Sequence, residues 1–130
     1  MKNSFRITQM FAADASKIYD AWLDSKEHSK MTGGEANCSA EPGGDFTAWD
    51  GYIEGTNKTL IKDRQIIQSW RTDDFQEDDQ DSEIEINFRE IEGGCELSLV
   101  HRNIPEGQPD YEQGWMEHYF KPMKDYFGAL

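Results

Sequence analysis

Between Pro109 and Phe127 the chain carries Tyr111, Trp115, Tyr119, Met123, Tyr126 and Phe127. At about 100° per residue these side chains share one broad apolar face, with Met116 and Phe120 along its edge. A helix with so wide an aromatic face cannot stand in water, so a sheet must lie across it. Asp110 is placed to cap its start, with Gln113 three residues on. Gly114 and Pro122 weaken the helix and predict a bend near Pro122. A Gly at position 114 also suits close approach of the helix to a strand.

The rest of the chain supplies that sheet. Phe5, Ile7 and Phe11 fall on one side of an alternating run, with Arg6 and Thr8 opposite, which predicts a strand with one buried face. Asp14 is a good cap for a helix carrying Ile18, Tyr19, Trp22 and Leu23, and Asp24 with Glu27 reads as a capping box for a second, stopped by Gly33-Gly34. A meander follows. Phe46 to Trp49 meets Tyr52-Ile53 across Asp50-Gly51, a two-residue hairpin signal. Leu60-Ile61 turns into Ile66-Ile67 through residues 62–65, and Gly93-Gly94 joins the run Ile84, Ile86, Phe88 to the run Cys95, Leu97, Leu99. The expectation is one α+β domain over residues 1–130. A curved antiparallel sheet wraps a long C-terminal helix, and two short helices follow the first strand.

Charge removes several function classes. With 13 basic and 26 acidic residues the formal charge is -13, the wrong sign for phosphate backbones or anionic membrane surfaces. The N-terminal run shows no export signal and no stretch reaches a membrane span, so a cytoplasmic location is expected, with Cys38 and Cys95 as reduced thiols and Cys95 in the core. His28, His101, His118 and the two cysteines lack any metal-ligand spacing, and the acidic stretch Asp73 to Asp81 lacks that of a calcium loop. No metal, no cofactor and no nucleic-acid partner is expected, and the sequence does not set the oligomeric state.

Several short motifs stand in a recognisable order: Gly44-Asp45-Phe46, Asp50-Gly51-Tyr52-Ile53-Glu54-Gly55, Ile67-Gln68-Ser69-Trp70-Arg71, Asp81-Ser82, Ile104-Pro105, and Gly114-Trp115 followed by Tyr119-Phe120. Over nearly the whole chain the pattern resembles the C-terminal domain of the activators of the ninety-kilodalton heat-shock chaperone's ATPase and the stand-alone bacterial proteins related to them. That family lies in the START-like, or SRPBCC, helix-grip superfamily of lipid-transfer, pollen-allergen and polyketide-cyclase domains. The resemblance implies a sheet gripping the final helix, often around a cavity that takes apolar molecules, and implies stimulation of a chaperone ATPase. The two-domain activators carry a further N-terminal domain for which these 130 residues leave no room, so the fold is expected to transfer and the activation is not.

Candidate residues follow from the same pattern. Trp70, Phe88, Leu97, Leu99, His101, Glu112, Trp115, Tyr119 and Met123 point toward the space between sheet and helix, and either fill it or line a ligand cavity. Arg71, Asp73 and Asp74 are candidates for a partner surface; the plainer reading of Arg71 is an ion pair with Asp73, Asp74 or Asp81. His101 shares a face with Cys95, Leu97 and Leu99. Paired with Glu112 it makes the sharpest enzyme hypothesis, a cyclase or hydrolase, though each residue also has a structural reading as a satisfied buried histidine or a helix-start acid. No catalytic residue is assigned. The leading expectation is a non-catalytic domain holding a small hydrophobic molecule. A co-chaperone-like contact with a heat-shock protein 90-type chaperone, made through the acidic surface, is the alternative.

Overall fold

The computed structural model describes residues 3–130, so the first two residues of the stretch inspected for an export signal lie outside the described residues. The elements run β1 (Phe5–Phe11), α1 (Ala15–Leu23), α2 (Ser25–Thr32), β2 (Asp45–Ala48), β3 (Ile53–Ile61), β4 (Gln65–Thr72), β5 (Ser82–Ile91), β6 (Gly94–Arg102), and then a C-terminal helix. The strands form one antiparallel sheet in the order β1-β6-β5-β4-β3-β2. Each hairpin pairs sequence neighbours, and β1 crosses the two small helices to join β6 at the far edge. This is the α+β helix-grip arrangement expected from the alternating runs.

Alternation decides which side of the sheet faces the helix. Ile66, Gln68, Trp70 and Thr72 on β4, Ile84, Ile86 and Phe88 on β5, and Cys95, Leu97, Leu99 and His101 on β6 are all buried on the inner face. Cys38 and Cys95 are free, with Cys95 in the core. The outer face carries cross-strand ion pairs, Arg102 bridging Glu83 and Glu85 and Lys58 reaching Glu83.

Three local details differ from the sequence expectation. Asp14 stands at the start of α1, but its side chain caps nothing; the free N–H of Ala15 is taken by Glu90 Oε1 of β5 at 2.8 Å. In α2 only half of the capping box forms. Asp24 accepts from the Glu27 N–H at 2.9 Å, while the Glu27 carboxylate accepts from Tyr126 Oη at 2.7 Å. The β2–β3 hairpin is a four-residue connection, because Ala48 pairs with Ile53 and Trp49, Asp50 and Gly51 all take positive φ (53°, 59° and 89°). That backbone drops the Trp49 ring onto Gly34, where a Cβ would sit 2.5 Å from the indole.

The C-terminal helix is continuous but not uniform. An α-helical start (α3, Tyr111–Trp115) passes through a π-helical stretch, Met116–Phe120, into α4 (Lys121–Phe127). The Lys121 N–H reaches back five residues to the Met116 carbonyl. Pro122 has no N–H to donate one turn back, so the wide turn stands where a bend was expected. A π-turn takes one more residue per turn than an α-turn, which shifts the phase beyond it. Phe120 is buried as a result, and Tyr126, expected on the apolar face, is 40% exposed.

Candidate functional site

The helix and the inner sheet do not close completely on each other. Trp49 and Tyr52 from the β2–β3 hairpin, Ile53 from β3, Trp70 from β4, and Tyr111, Gly114, Trp115, His118 and Tyr119 from the C-terminal helix line a cleft of about 370 Å³. Its walls are almost entirely apolar. The rings brace one another at its base: Trp70 lies 5.7 Å from Trp115 and 5.0 Å from Tyr111, and Trp115 lies 4.6 Å from Tyr119. Gly114 keeps the floor open, because a Cβ built there meets nothing within 4 Å. The close helix–strand approach expected at Gly114 is therefore absent, and the glycine borders empty space instead.

Behind the cleft a chain of hydrogen bonds fixes the rings. Trp115 Nε1–H donates to His101 Nδ1 at 3.1 Å, so the neutral His101 carries its proton on Nε2. That nitrogen faces Ser82 Oγ at 2.9 Å, and Ser82 Oγ donates to the Trp70 carbonyl at 2.8 Å. Burial without any counter-charge pushes the His101 pKa down to about 3, so it is uncharged at neutral pH. A second chain begins at His28. Its Nδ1 meets the Trp22 carbonyl at 2.8 Å and its Nε2 meets Tyr119 Oη at 2.9 Å, and burial lowers its pKa to about 4. Trp22 Nε1 in turn donates to Gln68 Oε1, and Gln68 donates to Asn57. At the mouth, Tyr111 Oη donates to Gln108 Oε1 and meets Thr72 Oγ1, and Tyr52 Oη donates to Asp74.

Of the residues singled out from the sequence, Trp70, Trp115 and Tyr119 line the cleft. Leu97, Leu99 and Met123 are fully buried core side chains, and Phe88 packs edge-on against Tyr19. His101 lies one layer behind, its ring 4.5 Å from that of Trp70. Glu112 borders a different depression, with Phe5, Ile104, Gln108, Pro109 and Tyr111. Both ring nitrogens of His101 are taken by Trp115 and Ser82, so the fold does not join it to Glu112 as an acid–base couple. Arg71 bonds Asp81 at 2.7 Å and the Asp79 and Gln76 carbonyls at 3.1 and 3.0 Å, clamping the acidic loop. Asp73 and Asp74 stay exposed beside Tyr52, whose carbonyl accepts from the Asp73 N–H.

Sequence reasoning missed Trp49, Tyr52, Ile53, Tyr111, Gly114 and His118 as wall residues. The available signal was a tryptophan directly before an Asp-Gly turn, where packing has no obvious claim on it. Trp49 also has a buried Nε1 with no hydrogen-bond partner among the described residues. Among those residues no cluster of His, Cys, Asp or Glu is arranged to hold a metal ion, and no helix is long and apolar enough to cross a membrane.

Comparison with known proteins agrees with this architecture. A mouse activator of 90 kDa heat shock protein ATPase homolog 2 is 26% identical over 122 residues, covering 93% of this chain and 37% of that protein. The human homolog 1 is 26% identical over 123 residues, covering 94% of this chain and 36% of its own length. The chain thus spans little more than a third of these curated relatives. A crystal structure of an HSP90 activator from Plasmodium falciparum superposes with a TM-score of 0.88 at 23% identity, covering 99% of both chains, and so shares the fold. The model of the family described as Activator of Hsp90 ATPase homolog 1-like protein matches residues 12–128, and the chain belongs to that family.

Proposed function

We propose that this domain is a non-catalytic binding module that holds a small hydrophobic molecule in the cleft between sheet and C-terminal helix. One observation carries the reading: about 370 Å³ of space walled by aromatic rings, with a glycine at the position where any larger side chain would enter it. The rings are held in place from behind by the His101 and His28 hydrogen-bond chains, so the cleft is preorganised and a ligand need not order it. Native mass spectrometry of protein purified gently from its own host tests this. A reproducible added mass lost on denaturation is the expected result. A bare mass, together with no shift of the cleft indole N–H signals by any apolar probe at millimolar concentration, refutes it.

A second reading follows from family membership. The relatives are named as activators of a heat-shock protein 90 ATPase, and the exposed Asp73 and Asp74 with a charge of -13 suit a basic patch on such a chaperone. Salt-sensitive association with the cognate chaperone supports this reading, and no association at low salt sinks it.

A further inference from the structure

The cleft is aromatic, the charged group bonded to its wall is a carboxylate, and the nearby Arg71 is engaged by Asp81 and the Asp79 and Gln76 carbonyls. Six of its nine lining residues are Trp or Tyr, and none is Lys or Arg. At its mouth the Tyr52 hydroxyl donates to Asp74, the Asp73 N–H bonds the Tyr52 carbonyl, and both carboxylates are exposed. A hydrogen bond to a carboxylate enriches the electron density of the Tyr52 ring. Indole and phenol rings attract cations through their quadrupoles, and the attraction grows where water is displaced. A neutral apolar guest would use the rings and leave the acidic rim idle; an anion would be repelled by it.

We propose that the preferred occupant of the cleft is a small organic cation, an alkylated ammonium on an apolar body, with the body among the rings of Trp70, Trp115 and Tyr119 and the charged head toward Tyr52 and Asp74. This rests on the cleft's being a binding site and adds the chemical class of what it binds. His118 is the one histidine among the wall residues, and its ring is engaged edge-on by Trp49 at 5.7 Å, whereas Tyr52 is the wall residue bonded to Asp74. The cation head is accordingly assigned to the Tyr52 side of the mouth.

A matched pair of probes tests the inference: (3-hydroxyphenyl)trimethylammonium and 3-tert-butylphenol, which share shape and differ in one positive charge. Binding is followed through the indole N–H signals of 15N-labelled protein at low salt. The cation is expected to bind about tenfold more tightly than its neutral twin. Asp74→Asn should remove most of that preference and leave the neutral probe unchanged. Glu92→Gln, in the β5–β6 turn, changes the net charge equally and should leave the preference intact. Equal or tighter binding of the neutral probe overturns the cation assignment while the cleft remains a binding site. A fall in Glu92→Gln as large as in Asp74→Asn overturns it too, since net charge then explains the preference. If neither probe moves the Trp70 or Trp115 signals, the cation assignment and the binding reading fall together.

Discussion

Trp115 and His101 are joined by an indole-to-imidazole hydrogen bond of 3.1 Å, which ties the first turns of the C-terminal helix to the end of β6. The bond aims Trp115 at the cleft and sets the tautomer of His101, which then faces Ser82 through Nε2. A residue read from the sequence as a candidate acid or base is thus a fixed part of the scaffold.

That placement predicts acid sensitivity. Burial holds His101 at about 3 and His28 at about 4, both below the ordinary value of 6.5. Between those values the unfolded chain binds more protons than the folded one, so stability is full above pH 6.5 and is lost as pH falls toward 4 and then 3. Each histidine is expected to cost about 2 kcal/mol between pH 7 and pH 5. Glu83 and Glu85, held below the usual carboxylate range by hydrogen bonds from Lys58 and Asn87 respectively, titrate beneath that window. Urea titrations at the two pH values check this; equal stabilities would refute the buried, uncharged assignment.

Two tryptophans should respond oppositely to the same change. Trp22 Nε1 donates to Gln68 in the core, so Trp22→Phe strands a buried acceptor and should lose roughly 1–3 kcal/mol. Trp49 Nε1 is buried without a partner among the described residues, so Trp49→Phe removes a desolvated donor and should be neutral within about 1 kcal/mol, or stabilising. Chemical denaturation of the pair decides the matter; a large loss in Trp49→Phe would reveal a partner for that N–H.

Gly114 separates stability from binding. A Cβ there meets open space, and Ala is the better helix former, so Gly114→Ala should gain about 0.5–1 kcal/mol. Gly114→Leu should keep the fold and occupy the cleft, weakening any probe by tenfold or more on the order expected for a filled pocket. A thermal melt beside a probe titration reads both effects. Destabilisation by Gly114→Ala would mean that the helix packs more tightly than the open space allows.

Arg71 organises the acidic loop more than it advertises a charge. Its guanidinium holds the Asp81 carboxylate and two loop carbonyls and lies 5.4 Å from the Phe75 ring. A lysine cannot reproduce that fork. Arg71→Lys should therefore abolish hydrogen-exchange protection at residues 73–81 while the strands keep theirs. Unchanged loop protection would show that the fork contributes little.

Much of the architecture could be read in advance because its causes are local. Period-two alternation on β4, β5 and β6, the Asp24 and Asp110 caps, and the Gly33 stop at φ 90° are each set by a few neighbouring residues. The aromatic stripe of the last segment identified the element that the sheet had to cover. The failures share a cause of the opposite kind. Asp14 lost its capping role to Glu90, 75 positions from the Ala15 N–H it accepts, and Tyr126 left the apolar face because the π-turn before Pro122 shifted the phase.

The candidate site shows the same division. Its rings were visible in the sequence as apolar residues on inward faces, which is a property of spacing along single elements. Whether those rings fill the interior or border a cleft depends on the distance between the helix and the sheet. Trp49 riding on Gly34, the wide turn at Met116–Phe120 and the absent side chain at Gly114 set that distance together. Packing volume is shared among residues remote in sequence, so no single segment encodes it. The sequence alone determined the pattern of strands and helices and the acidic charge; only the tertiary structure decided that Leu97, Leu99 and Met123 are sealed in the core while the likewise buried Trp70, Trp115 and Tyr119 border the cleft.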